Sequence, residues 1–151
     1  MAAVSAFPVR VTVSVAFEDI PFDTETAVGI VERLLRERTK SAATVNLVFA
    51  GHALVRQLHR DYLNHDSETD VLSFNLTEPA EPLEGEVYID VETANERCRE
   101  FDASLEEELA RYAVHGVLHL LGMNDATEAE RDEMRRVENE YLTAEFGRDA
   151  S

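Results

Sequence analysis

Two histidines and an aspartate in the last third of the chain have the spacing of a metal site. Residues 115–125 read HGVLHLLGMND, which places His115 and His119 four positions apart and Asp125 shortly after them. Because an α-helix makes one turn about every 3.6 residues, side chains four positions apart project from one face. Zinc accepts imidazole nitrogens and carboxylate oxygens, and three protein ligands leave a fourth position for water. The spacing therefore predicts one Zn²⁺ per chain, held by these three residues, with a bound water that ionises near neutral pH.

The same residues allow a metal-free interpretation, in which two histidines pack in a core helix and Asp125 caps a helix. Their spacing also resembles the zinc-protease pattern H-E-x-x-H-x-x-G-x-x-H, but Gly116 occupies the position of its glutamate. Glycine can neither take a proton from water nor give one to a leaving amine, so the pattern disfavours peptide hydrolysis. Glycine also costs about 1 kcal/mol in a helix interior relative to alanine. This cost predicts that the helix face at Gly116 needs room or a close approach.

Capping signals define the helices that position these three residues. A capping box, S-x-x-E from Ser104, predicts the start of a helix that runs through both histidines and ends at Gly122, a residue suited to a left-handed cap. A second capping box, T-x-x-E from Thr127, predicts the start of the final helix. Asp125 then lies in the short turn between two helices, which can fold it back towards the histidines.

The rest of the chain alternates strands and helices, and no repeat or long linker divides it. Valine-rich alternation predicts strands, and apolar residues at helical spacing predict three further helices. A loop containing Pro79, Pro82 and Gly85 separates the last two strands. We therefore expect a single domain over residues 1–151 with about four strands and about five helices. The predicted strands are residues 9–17, 44–50, 70–76 and 86–91, and the three further helices are residues 24–38, 51–63 and 95–101.

Composition excludes several classes of protein. Hydrophobic residues make up 44% of the 151 residues, which is typical of a globular domain, and no apolar run reaches the length of a membrane span. The N-terminal residues lack the basic region of a signal peptide. The single cysteine, Cys98, cannot form an intramolecular disulfide, so a reducing cytoplasm is expected and no membrane partner is predicted.

The charge is strongly acidic and unevenly distributed. The net charge is −17, and Lys40 is the single lysine among 14 basic residues. Residues 1–65 contain seven acidic and seven basic side chains, whereas residues 66–151 contain 24 acidic and seven basic ones. A dispersed acidic, lysine-poor surface favours a protein that works in high salt, where self-repulsion is screened, over an acidic interaction tail. It also argues against strong nonspecific binding of nucleic acid at low salt.

Three motifs in the same order resemble one known family. HGVLHLLGMND resembles H-G-x-L-H-L-x-G-Y-D-H, residues 69–74 read TDVLSF as in T-D-V-L-S-F, and residues 85–89, GEVYI, resemble G-D-I-x-I. Downstream, Glu130, Met134 and Glu138 match a glutamate, a methionine and a glutamate without a gap. These are motifs of the YbeY family, endoribonucleases of ribosomal RNA maturation, and the resemblance covers about residues 45–140.

The resemblance implies an α+β fold in which helices cover a mixed sheet and a zincin-like helix binds the metal at one end of a cleft. It implies a zinc-dependent, single-strand-specific endoribonuclease in small-subunit (16S) rRNA 3′-end maturation and ribosome quality control. The implied partners are an rRNA precursor and the small ribosomal subunit, in the cytoplasm. Two alternatives remain open, a ribosome-assembly factor with a mainly structural metal and a metal-dependent hydrolase of other substrates.

The chain departs from the family pattern at two places. Asp125 occupies the position of the third histidine and Asn124 that of the preceding aspartate, and the ungapped register assigns Asp125 as the third ligand. Leu63 occupies the position of a family arginine implicated in activity. Arg56 or Arg60 could supply that charge, but solvated arginines on a helix face are the simpler interpretation. The metal-bound water is then the expected catalytic group, with no protein base assigned.

The remaining site residues are weaker candidates. Asp70 and Ser73 lie on the predicted third strand within the family motif and are possible cleft residues, although Asp70 could equally be a structural hydrogen-bond acceptor. RNA contact is expected in the basic first half of the chain, where the chosen candidates are Arg56, Arg60 and His65 and the other basic residues include Arg33, Arg36, Arg38 and Lys40. Most of those charges could also belong to solvated helix faces.

Overall fold

Nine elements make up the part of the chain that the computed structural model describes, residues 8–39, 41–63, 71–78, 81–100 and 102–147. Within these ranges the chain forms four strands and five helices, as expected. In order, they are β1 (Val9–Val15), α1 (Glu25–Arg38), β2 (Ala43–Ala50), α2 (His52–Leu63), β3 (Val71–Asn75), β4 (Leu83–Asp90), α3 (Val91–Glu100), α4 (Leu105–Leu120) and α5 (Glu128–Phe146).

The four strands form one mixed sheet in the order β1-β2-β4-β3. β2 runs parallel to both β1 and β4, whereas β3 pairs antiparallel with β4. The sheet therefore ends at β3, which has β4 as its strand neighbour in the described part of the chain. This arrangement confirms the predicted α+β class.

The main core lies on the first face of the sheet, between the strands and α1, α4 and α5. Alternate residues of β2 point into it and are almost completely buried, in agreement with the period of two that a strand imposes. These residues are Ala43, Val45, Leu47 and Phe49. On the second face α2 packs over one end of the sheet, where Val55 meets Ala50 and Leu72. The two faces thus belong to different helices, with α4 on the first and α2 on the second.

The start of α3 differs from its prediction because the helix follows β4 directly, without an intervening loop. The helix expected from residue 95 begins at Val91, directly after β4. The Asp90 carboxylate is fully buried and accepts hydrogen bonds from the Thr93 backbone N–H at 2.9 Å and from the Thr93 hydroxyl at 2.8 Å. It therefore caps α3 from the last residue of the strand.

The other clear difference is the start of β4. The strand was expected from residue 86, but it begins at Leu83, which pairs with Ala43 of β2. The Leu83 N–H donates to the Ala42 carbonyl at 3.1 Å, so the ladder continues to the end of the proline-containing loop. None of the described helices is long and apolar enough to cross a membrane.

Candidate metal centre

Helix α4 carries the two histidines and ends where the sequence predicts. The Ser104 hydroxyl accepts a hydrogen bond from the Glu107 N–H at 3.0 Å and so caps the first turn. After the last turn Gly122 has φ +97°, its N–H donates to the His119 carbonyl, and the Met123 N–H donates to the Leu118 carbonyl, both at 3.0 Å. These two bonds form a Schellman motif, which turns the chain sharply at the end of α4.

Helix α5 begins with a complete capping box. Thr127 Oγ1 accepts from the Glu130 N–H at 3.1 Å, and Glu130 Oε1 accepts from the Thr127 N–H at 2.9 Å. The turn that contains Asp125 is therefore fixed between two capped helix ends. This local structure brings Asp125 back to the face of α4 that carries His115 and His119.

The potential ligand atoms of these residues form a nearly equilateral triangle. The two Nε2 atoms of His115 and His119 are 3.1 Å apart, and Asp125 Oδ2 is 3.3 Å from each. Ligands at about 2.0–2.1 Å from a tetrahedral zinc ion lie about 3.3–3.4 Å from one another. The triangle therefore fits a tetrahedral metal ion. All three side chains are partly exposed, so solvent can reach the cluster.

A buried carboxylate orients the first histidine. His115 Nδ1 lies 2.7 Å from Glu138 Oε2, and Glu138 Oε1 accepts from Arg111 Nη1 at 2.9 Å. With its proton on Nδ1, His115 donates to Glu138 and directs the Nε2 lone pair into the triangle. A hydrogen bond from the second ring nitrogen to a carboxylate is usual for a metal-binding histidine. Burial lowers the pKa of His115, but the hydrogen bond and charge of Glu138 and the charge of Asp125 outweigh it, so the pKa is raised. A proton and a metal ion thus compete for the same imidazole.

Sequence reasoning matched Glu138 to a family position but did not find its contact with His115. The two residues lie 23 positions apart on different helices, so only the packing of α5 against α4 brings them together. Arg111 is a second missed residue, one turn before His115 on α4. In the sequence these two residues are visible only as opposite charges, Arg111 on α4 and Glu138 on α5, each on an apolar helix face. Such pairs are too common to identify a site.

Gly116 explains how closely α4 approaches the sheet. A β-carbon at this position would lie 2.4 Å from Val87 Cγ1 and 3.0 Å from both Ser73 Oγ and Val71 Cγ2. The predicted close approach is therefore correct, and it places His115 beside the edge of the sheet. The Ser73 hydroxyl donates to the Gly116 carbonyl at 2.7 Å, so this candidate cleft residue links β3 to α4.

A comparison with known families gives a specific match. The family model described as endoribonuclease YbeY matches residues 13–145. The chain belongs to the YbeY family. The match extends beyond the region of about residues 45–140 that the three motifs indicated. It confirms the predicted family and, with it, an enzyme class of hydrolases that act on RNA.

Individual relatives agree with this assignment. A protein named endoribonuclease YbeY from Salinibacter ruber is 45% identical over 123 residues, which cover 76% of this chain and 78% of the relative. One of the same name from Chloroherpeton thalassium is 37% identical over 119 residues, covering 79% and 84%. The solution structure of TM1509 from Thermotoga maritima has a TM-score of 0.63 at 24% identity and covers 91% of this chain and 89% of its own. That likeness supports the fold.

The other candidate residues are not all part of the cluster. Asp70 and His65 lie outside the described residues. Arg56 and Arg60 are exposed on α2, which packs on the second face of the sheet, whereas α4, with His115 and His119, lies on the first. The structure therefore does not bring these arginines beside His115 and His119. Their role in binding RNA remains a prediction.

Proposed function

We propose that the chain is a zinc-dependent, single-strand-specific endoribonuclease in small-subunit (16S) rRNA 3′-end maturation and ribosome quality control. Its substrate is an rRNA precursor, and its partner is the small ribosomal subunit in the cytoplasm. The observation that supports this proposal most is the ligand triangle with edges of 3.1–3.3 Å, in a chain of the YbeY family.

His115, His119 and Asp125 would hold one zinc ion. When bound, the ion would supply a water of lowered pKa near neutral pH and positive charge for an RNA phosphate. Glu138 keeps His115 in the tautomer whose Nε2 faces the triangle, and Arg111 holds Glu138 in turn. Asp125 adds a negative charge where the family pattern has a neutral imidazole, so this cluster attracts a proton more strongly.

A second candidate is a ribosome-assembly factor whose metal is mainly structural. It is favoured by Leu63, which occupies the position of an arginine implicated in the activity of the family. In that case the triangle would still bind zinc and removal of the metal would destabilise the fold, but the unaltered chain would cleave no RNA.

Elemental analysis and RNA cleavage distinguish these functions. Protein purified without chelator should contain about one zinc per chain, and it should cut single-stranded RNA faster than duplex RNA. The double variant His115→Ala, His119→Ala should lose both the zinc and the cleavage, whereas Gln57→Ala, an exposed change on α2, should keep both. Full zinc content in the double variant would disprove the site. Zinc binding without cleavage by the unaltered chain would favour the assembly factor.

A further inference from the structure

Three aromatic rings form a ladder on the second face of the sheet, where α2 meets β3 and β4. The rings of Tyr62 and Phe74 are edge-to-face with centroids 5.6 Å apart, and those of Phe74 and Tyr88 repeat this arrangement at 5.6 Å. Phe74 and Tyr88 are half-buried against the small apolar cluster under α2, whereas Tyr62 is 68% exposed. The inner two rings therefore support the outermost ring, which is presented to solvent.

The ladder and the ligand triangle of His115, His119 and Asp125 lie on opposite sides of the edge strand β3. In β3, Ser73 points towards α4 and donates to the carbonyl of Gly116, the residue that follows His115. Phe74 is the next residue, so its side chain projects from the opposite face only about 3.3 Å further along the strand. Because β3 forms the edge of the described sheet, the ladder and the helix that carries the ligand triangle lie on opposite faces beside the same edge strand.

The charge of the molecule decides how a polyanion can bind at this surface. The net charge of −17 repels phosphates, and Glu86 lies beside the ladder, with Tyr88 donating to it at 3.4 Å. The molecule as a whole therefore repels phosphates, and the positive charges on the helix that carries Tyr62 are the exposed Arg56 and Arg60. Stacking of a base on an exposed aromatic ring needs no positive charge and tolerates any base sequence. Within a duplex the bases stack on one another, so internal paired bases have no free face for such stacking, whereas unpaired bases do.

We propose that Tyr62, supported by Phe74 and Tyr88, is a stacking platform for an unpaired base of single-stranded RNA. The platform lies on the second face of the sheet, and the bound RNA crosses the edge at β3 to reach the ligand triangle beside the first face. The identity of the ligand as RNA rests on the proposed function, but stacking on Tyr62 does not depend on cleavage.

An indole at position 62 reports directly on the platform. The chain contains no tryptophan, so Tyr62→Trp introduces a single fluorescent indole. The probe is a short oligothymidine, which has unpaired bases, and a denaturing gel after the titration establishes that it is still intact. We expect the oligothymidine to quench the indole fluorescence and the matching duplex to leave it unchanged. Equal quenching by both, or by neither, would overturn the proposal.

Truncation of the ring tests its contribution to affinity. Tyr62→Ala should weaken oligothymidine binding about 5- to 150-fold, which is the range for loss of one base–aromatic stack. Tyr62→Phe and the exposed control Gln57→Ala should bind as the unaltered chain does. Circular dichroism and thermal unfolding establish that each variant is folded. A Tyr62→Ala variant with lowered stability but unchanged affinity would show that the ring only covers Phe74.

Two further outcomes separate this inference from the proposed function. Quenching of the indole at position 62, in a protein whose unaltered form cleaves no RNA, would support the stacking platform and contradict the proposed nuclease activity. If Tyr62→Ala cleaves single-stranded RNA with the same KM as the unaltered chain, the stacking platform is disproved and the proposed nuclease activity is supported.

Discussion

Individual residues in and around the triangle of His115, His119 and Asp125 have separate structural roles. Asp125 completes the triangle, Glu138 orients His115, and Gly116 lets the helix approach the sheet closely enough to place them. Each role depends on one atom or on the lack of one. Single substitutions with a matched control can therefore test them separately.

Substitution of Asp125 tests the third ligand. Asp125→His should retain the metal, because imidazole is also a good zinc ligand, whereas Asp125→Ala should weaken zinc affinity substantially. Competition with a chromophoric chelator measures both affinities. Unchanged affinity in Asp125→Ala would show that the residue acts only in the turn and that the third ligand lies elsewhere.

Substitution of Glu138 tests the orientation of His115. Glu138→Gln removes the charge that holds the Nδ1 proton, and we expect zinc affinity to fall about 10- to 100-fold, as for other partners of metal-binding histidines. Asn139→Ala is the control, since Asn139 accepts from Arg111 Nη2 at 2.9 Å but has no contact with His115 among the described bonds. Equal zinc affinities in the two variants would exclude the orienting role.

A methyl group at Gly116 tests the close approach of α4. Gly116→Ala should lower the free energy of unfolding by about 1–3 kcal/mol, because the new carbon would overlap Val87. Gly29→Ala is the control in the exposed face of α1, where a β-carbon meets nothing within 4 Å. It should stabilise the protein by about 0.5–1 kcal/mol. Urea unfolding measures both changes, and equal signs would contradict the packing argument.

At the scale of elements, two capped helix ends hold the turn that positions Asp125. The Schellman motif at Gly122 ends α4, and the capping box at Thr127 begins α5, so the intervening residues connect two fixed points. Asp125 needs no strong bond of its own to reach the triangle. The position of Asp125 thus depends on two local signals that lie on either side of it.

Removal of the second cap tests this dependence. Thr127→Ala should lower the free energy of unfolding by about 1 kcal/mol and should also weaken zinc affinity, because the turn loses one of its fixed ends. Thr143→Ala, an exposed change within the same helix, should leave zinc affinity unchanged and should not lower the free energy of unfolding, because alanine is the better helix former. Denaturation with and without zinc measures both effects. A loss of stability at an unchanged zinc affinity would show that the turn holds its shape without the capping box.

At the scale of the whole molecule, the acidic surface opposes both folding and RNA binding in dilute buffer. The 24 acidic residues after His65 repel one another and repel a polyanion. Salt also weakens the attraction of any arginine for phosphate, so two opposite effects act on RNA binding. With a net charge of −17, we expect relief of the overall repulsion to dominate.

Titration with KCl tests this balance. Between dilute buffer and about 1 M salt the Debye length falls from tens of ångströms to about 3 Å. Both Tm and the affinity for single-stranded RNA should rise over this range, and the affinity should be measured at a temperature where the protein stays folded throughout. A steep, continuous loss of RNA affinity with salt would instead indicate a strong basic patch.

The sequence by itself determined the order and number of the elements in the described part of the chain, the two helix caps and the three residues of the triangle. Each of these follows from local signals: a period of 2 or 3.6, a capping residue, or a four-residue spacing. The family could be identified from motifs for the same reason. The start of α3 at Val91 was missed because the cap is Asp90, a residue that also reads as strand.

Only the tertiary structure decided which distant residues meet. The contact of Glu138 with His115 joins two helices, and the placement of Arg56 and Arg60 away from the triangle depends on which face of the sheet α2 covers. The ladder under Tyr62 likewise needs the register of β3 on β4, which pairs Leu72 with Tyr88 and Phe74 with Glu86. Periodicity specifies which face of an element is apolar, but it does not specify the partner, since packing depends on the whole chain.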